Sequence, residues 1–123
     1  AADLPADLLK GAVSVSGIYD LTPIRLSYQQ EVVRLDDEAV RTCSPIRRIA
    51  APCAAPVICA VGSEETEEFL RQQNEFVTAW RTGGGEARVV DLPGRNHFSA
   101  VDALGETDHS LHAATCALAS AGA

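Results

Sequence analysis

Two short segments hold residue types that can relay protons. Gly62-Ser63-Glu64-Glu65 and Gly94-Arg95-Asn96-His97-Phe98 each follow directly on a run that reads as a strand. Ligands and reactive groups gather at the carboxyl ends of parallel strands. Neighbouring strands lie about 4.8 Å apart, so loops leaving two of them can bring an acid and a histidine together. A carboxylate bonded to an imidazole fixes its tautomer and stabilises its charged form, which is the acid–base half of a nucleophile relay. The residues alone leave the acid open among Glu65, Glu64, Asp91 and Asp102. Taken singly, His97 also reads as an ordinary loop histidine. Glu65 also reads as a helix-start carboxylate like Glu67 and Glu68, favoured there by the helix dipole.

Other groups are weaker candidates. Asp20 follows the first predicted strand and suits loop structure better than catalysis. Ser63 follows Gly62 but lacks the second glycine of a nucleophile elbow. Ser16 precedes Gly17, yet Ser14 stands two residues before it where a G-x-S-x-G elbow needs glycine. Phe98 is expected to pack, and Trp80 to join the core. Gly83-Gly84-Gly85 follows a helix, whereas a phosphate cradle needs strand, then glycine, then helix. His109 and His112 fall on the last helix, expected at its surface without a metal. Cys43, Cys53, Cys59 and Cys116 form no C-x-x-C pair and read as reduced structural thiols in a cytoplasmic setting.

Three strands must carry the two segments. Residues 11–17 form a β-branched run bounded by glycines, and 55–61 a near-continuous apolar run of the kind buried on both faces of a parallel sheet. Residues 86–92 end at Pro93-Gly94, a turn signal. Between the second and third lies a helix predicted over 66–81, with Phe69, Phe76, Val77 and Trp80 on one face and glycines at its end. Strand, helix and strand make a βαβ unit, expected right-handed. Further helices are predicted over 107–120 with Thr107 as N-cap, over 6–10, near 27–34, and over 37–42 capped by Asp36 and stopped at Ser44-Pro45.

The predicted architecture is α/β, about three parallel strands with flanking helices, and the first strand has no evident partner. The chain therefore reads as one partial domain over 1–123, or as a chain that completes its sheet with another copy, giving a possible homodimer through the exposed strand edge. At 123 residues one domain fits. With 46% apolar and 22% charged residues the composition is globular. Lys+Arg at 10 against Asp+Glu at 17 gives a charge of −7, which argues against nucleic acid and anionic membranes as partners. No apolar run reaches the roughly 18 residues of a membrane span.

The motifs GIYDL at 17–21, SPIRRI at 44–49, PVICAVGSEETEEFLRQ at 56–72 and PGRNHFSAVD at 93–102, in this order and spacing, resemble the C-terminal half of α/β-hydrolase esterases. The resemblance runs from about residue 11 to 118 and is nearest to the arylformamidase (kynurenine formamidase-like) and carboxylesterase group. It implies that the strands are the sixth, seventh and eighth of an eight-stranded sheet. It further implies Glu65, three residues after Gly62, as triad acid, though aspartate is commoner there, and His97 as triad histidine. No metal or organic cofactor is implied. The expected partner is a small-molecule ester or amide. The 123 residues hold no G-x-S-x-G and no HGG-type oxyanion loop, so the nucleophile half is missing and the segment alone is expected to be inactive.

Overall fold

A computed structural model describes residues 4–5, 7–52 and 55–122. In chain order the elements are β1 (Ala12–Val15), α1 (Thr22–Arg25), α2 (Gln30–Val33), α3 (Asp37–Cys43), a 3₁₀ turn at Pro45–Arg48, β2 (Val57–Gly62), α4 (Glu67–Thr82), β3 (Ala87–Leu92), a 3₁₀ turn at Val101–Leu104 and α5 (Ser110–Ala121). The strands form one parallel sheet in the order β1-β2-β3. Val13 pairs with Ile58, and Ile58 with Arg88.

The apolar run of β2 is buried at every residue, as a central strand requires. Its side chains alternate between two cores. Val57 and Cys59 meet Tyr19 and, on α4, Phe76 and Val77. Ile58 and Ala60 meet Val90, Leu92, Ala100, Ala103 and, on α5, Leu111 and Ala114. Each face of the sheet thus has its helix, which a parallel sheet needs to bury both sides. Along β3, Arg88, Val89 and Asp91 are exposed, the mark of an edge strand.

Four expectations change. The first strand does have a partner: all four residues of β1 pair with β2, because the long segment between them returns the chain alongside. β1 remains at the edge of the sheet. The helix predicted over 6–10 is absent in residues 7–10 (Ala6 lies outside the described residues), where Leu8 and Leu9 stay exposed and bury too little to repay helix formation. Thr107 does not cap the last helix. Residues 106–109 form a turn, closed by the His109 N–H on the Glu106 carbonyl at 2.9 Å. His109 Nδ1 then accepts the Leu111 N–H at 3.0 Å as the cap. The helix near 27–34 shrinks to Gln30–Val33, closed by Arg34 in the left-handed region at φ 52°. Asp36 does cap α3, accepting the Ala39 N–H at 2.7 Å. Gly84, at φ 85°, follows α4 as a glycine stop should.

Among the described residues no helix is long and apolar enough to cross a membrane. Cys43, Cys59 and Cys116 are free thiols, and Cys53 lies outside the described residues.

Candidate functional site

β2 and β3 end side by side, and their loops are stitched together before any side chain is considered. Ser63 N–H donates to the Leu92 carbonyl at 3.0 Å, and Glu64 N–H to the Arg95 carbonyl at 3.0 Å. Gly94 N–H donates to Ser63 Oγ at 2.8 Å, which is the role of that serine. The approach is so close that a Cβ on Gly62 would collide with the Arg95 carbonyl, so only glycine fits there.

This stitching turns Glu65 inward. Its side chain has no exposed surface, and its Oε1 meets His97 Nδ1 at 2.8 Å. Oε2 accepts the Gly62 N–H at 2.7 Å and the Ser16 hydroxyl at 2.6 Å. Burial pushes the carboxyl pKa up, but the hydrogen bonds from Ser16, Gly62 and His97 outweigh it and hold the group below the ordinary carboxylate value. An ionised carboxylate only accepts, so His97 Nδ1 carries the proton and the neutral imidazole leaves Nε2 as an acceptor. His97 itself stands on a side-chain-capped turn. Asn96 Oδ1 accepts the N–H of Phe98 at 2.9 Å and of Ser99 at 3.0 Å. Phe69, from the first turns of α4, lies against the imidazole with ring centroids 5.0 Å apart.

The other sequence candidates sort themselves by position. Glu64 is exposed beside Glu65, and Asp91 and Asp102 are exposed as well. Asp20 shapes its loop, accepting the Thr22 N–H at 2.9 Å and hydroxyl at 2.8 Å. Burial raises its pKa, and the Thr22 bonds with the charge of Arg47 bring it below the usual value. Phe98 does not pack as expected. It is 86% exposed and touches His97 edge-on, because the Asn96 turn points it outward. Trp80 lies at the rim of the α4 core, its ring 5.7 Å from that of Phe76. His109 and His112 are half-buried rather than surface groups. His109 caps α5, and His112 Nδ1 meets the Leu104 carbonyl at 2.7 Å. Among the described residues no cluster of His, Cys, Asp or Glu could hold a metal ion.

Two features escape the sequence reading. Ser16 fails as an elbow nucleophile, yet it is a direct partner of Glu65. Its only sequence signal is a hydroxyl at the carboxyl end of a strand next to glycine. The other is a mostly apolar cleft of about 200 Å³, walled by Ile18, Pro23, Ile24, Tyr28 and the same Phe69 that meets the imidazole. The irregular 20–51 stretch supplies three of those five residues, and no periodicity announces them.

No protein-family profile matches the chain. Over 107 residues, 84% of its length, it is 30% identical to a kynurenine formamidase of Danio rerio, and over 108 residues 30% identical to a kynurenine formamidase of Salmo salar. It spans 36% and 37% of those proteins. Among solved structures it matches a protein assigned as a thioesterase from Silicibacter sp. tm1040, with a TM-score of 0.72 and 27% identity, over 84% of this chain and 37% of that one. It also matches esterase 2 of Thermogutta terrifontis in its apo form, with a TM-score of 0.61 and 20% identity, over 97% of this chain and 44% of that one.

Proposed function

We propose that this chain, an α/β-hydrolase fragment similar to esterases and formamidases, is the C-terminal portion of such a domain and supplies the histidine and the acid of a serine hydrolase cleaving carboxylic esters or aryl formamides. The observation behind this reading is the 2.8 Å contact between His97 Nδ1 and a wholly buried Glu65 carboxylate at the carboxyl ends of two adjacent strands.

The chemistry follows from the tautomer. Nε2 of His97 takes the proton of a serine hydroxyl as that oxygen attacks the substrate carbonyl. The imidazolium that forms then gives the proton to the leaving alkoxide or amine. Water repeats the sequence on the acyl-serine, and the acid is released. Glu65 stays ionised throughout, holding the imidazole and stabilising its cation. The 123 residues hold no G-x-S-x-G, and in this reading the serine is supplied from outside them. By itself the chain has a relay with nothing to activate. The cleft beside Phe69 suits an apolar or aromatic portion of the substrate.

The test is turnover of p-nitrophenyl esters and aryl formamides by a polypeptide in which a nucleophile-bearing strand–elbow–helix half precedes this segment. His97→Ala is expected to lower kcat by about a thousandfold or more. The 123-residue chain alone is expected to show no turnover above buffer. Turnover undiminished by His97→Ala contradicts the reading.

A second reading rests on the position of β1 at the edge of the sheet. The chain would then be a non-catalytic module that adds a strand, or a second copy, at that edge. A light-scattering mass of twice the monomer, abolished by proline at a β1 edge position, together with inactivity of the extended polypeptide, would favour it.

A further inference from the structure

We infer that Ser16 is a positioning residue of the relay: its hydroxyl holds the outer oxygen of Glu65 so that the other oxygen faces His97. The inference rests on the proposed role of the Glu65–His97 pair and adds a third loop to it, the one that leaves β1.

The geometry is built for this contact. Ser16 Oγ donates to Glu65 Oε2 at 2.6 Å, across 49 positions of sequence. Ser16 extends the ladder of β1, its N–H donating to the Ala60 carbonyl at 2.8 Å, but its backbone then turns into the left-handed region at φ 52°. That conformation disfavours a non-glycine side chain. It is one of two non-glycine residues so placed among those described, and the other, Arg34, closes a surface helix.

The loop beyond is fixed from several directions. A Cβ on Gly17 would come within 2.5 Å of the Tyr19 and Ser14 oxygens, so glycine is needed for the tyrosine to fold back. Tyr19 Oη donates to Ser14 Oγ at 2.7 Å, and its ring stacks on Phe76 at 4.0 Å. Burial pushes this phenol pKa up, so it remains a hydrogen-bond donor. Buried Gln72 accepts the N–H groups of Tyr19 and Asp20 at 2.7 and 2.9 Å. A loop so anchored fixes the Ser16 backbone and so sets its hydroxyl within reach of Glu65.

The consequence is directional. Gly62 N–H and Ser16 Oγ both act on Oε2, which leaves Oε1 for the imidazole. Without the serine, Oε2 keeps one donor and the carboxylate can rotate about its last bond. Its proton affinity rises because a charge-assisted hydrogen bond to the ionised form is lost.

The experiment uses the 123-residue chain, with Ser16→Ala and Ser16→Gly side by side. Glycine relieves the left-handed backbone and alanine does not, so the two variants should differ in thermal stability. Both remove the hydroxyl. Both are therefore expected to raise the proton affinity of Glu65 by the same roughly tenfold factor, read from its carboxyl carbon resonance, and to speed solvent exchange of the His97 Nδ1 proton. In the nucleophile-bearing polypeptide both should lower kcat with KM little changed. An unchanged Glu65 titration and an unchanged Nδ1 proton in both variants overturn the role of Ser16. Absence of the Nδ1 proton in the parent chain instead overturns the Glu65–His97 reading beneath it, so the two failures are distinct. Should Ser16→Ala fail to fold, Ser16→Gly carries the test by itself.

Discussion

The loops that leave β2 and β3 hold the two ends of one hydrogen bond, and they hold them differently. Glu65, after β2, has a side chain with no exposed surface and donors on both oxygens, while His97, after β3, is about half exposed and stands on a turn capped by Asn96. One partner is fixed by the protein, and the other is oriented by that partner. The contrast suits the proposed chemistry. An acid that never changes protonation state belongs in a rigid, donor-lined place, whereas the group that exchanges protons with substrate must present a nitrogen to it. The lesson is that the stable half of the relay lies under the surface and the working half at it.

Substitutions can break this contrast, and the largest effect is on rate. In the nucleophile-bearing polypeptide, Glu65→Gln is expected to cost about ten-thousandfold in kcat. With Oε1 kept toward Gly62 and Ser16, the amide NH₂ of Gln faces Nδ1 and forces the proton onto Nε2. A loss under tenfold would mean that the acid does not set the tautomer.

Stability should separate the two loops next. Glu65→Ala leaves the buried Gly62 N–H and the half-buried Ser16 hydroxyl without their acceptor, at about 2–3 kcal/mol in urea unfolding. His97→Ala takes one donor from the buried carboxylate but opens that oxygen to water, so it should cost less, about 1 kcal/mol. Equal costs at the two positions would erase the distinction. Asn96→Ala is expected to cost a similar amount, about 1 kcal/mol, because it removes the cap of the histidine turn.

The pH dependence has a definite sign. The folded-state pKa of Glu65 lies below its ordinary value of 4.5. Its contribution to stability is therefore full above that value and is lost as pH falls through the lower folded-state pKa. The stability difference between the parent chain and Glu65→Gln should shrink over that acid range. The smallest effect belongs to Glu64→Gln, an exposed neighbour, which should change neither rate nor stability measurably.

Much of this arrangement was legible in the residues, for reasons that can be named. The apolar run of 55–61 and the 86–92 run are strong signals, because a strand buried on both faces leaves no room for polar interruptions. The α4 stripe is equally plain, although Phe69, at its start, leaves the core and meets the imidazole. The loops after two predicted strands point to His97 and to a choice of four acids, the family resemblance singles out Glu65, and the pairing of β2 and β3 shows how the two loops come together.

What escaped depends on long-range packing. The partner of β1 lies beyond the irregular 20–51 segment, whose short helices carry too few residues for a period to emerge. The elbow motif passes over Ser16 because it asks about neighbours in sequence, whereas the contact Ser16 makes is with a residue 49 positions away. Phe98 looked like a packing residue by type alone, and only the Asn96 turn shows that it faces outward. The capping of α5 by His109 rather than Thr107 turns on a single hydrogen bond that propensity does not encode.

The most direct measurement is the ¹⁵N resonance pair of the His97 imidazole in the 123-residue chain, recorded in the neutral form of the ring. A protonated, pyrrole-like Nδ1 hydrogen-bonded to Glu65 and an unprotonated Nε2 are expected, with the two exchanged in Glu65→Gln. A proton on Nε2 in the parent chain, or an equal mixture that Glu65→Gln leaves unaltered, would contradict the Glu65–His97 relay.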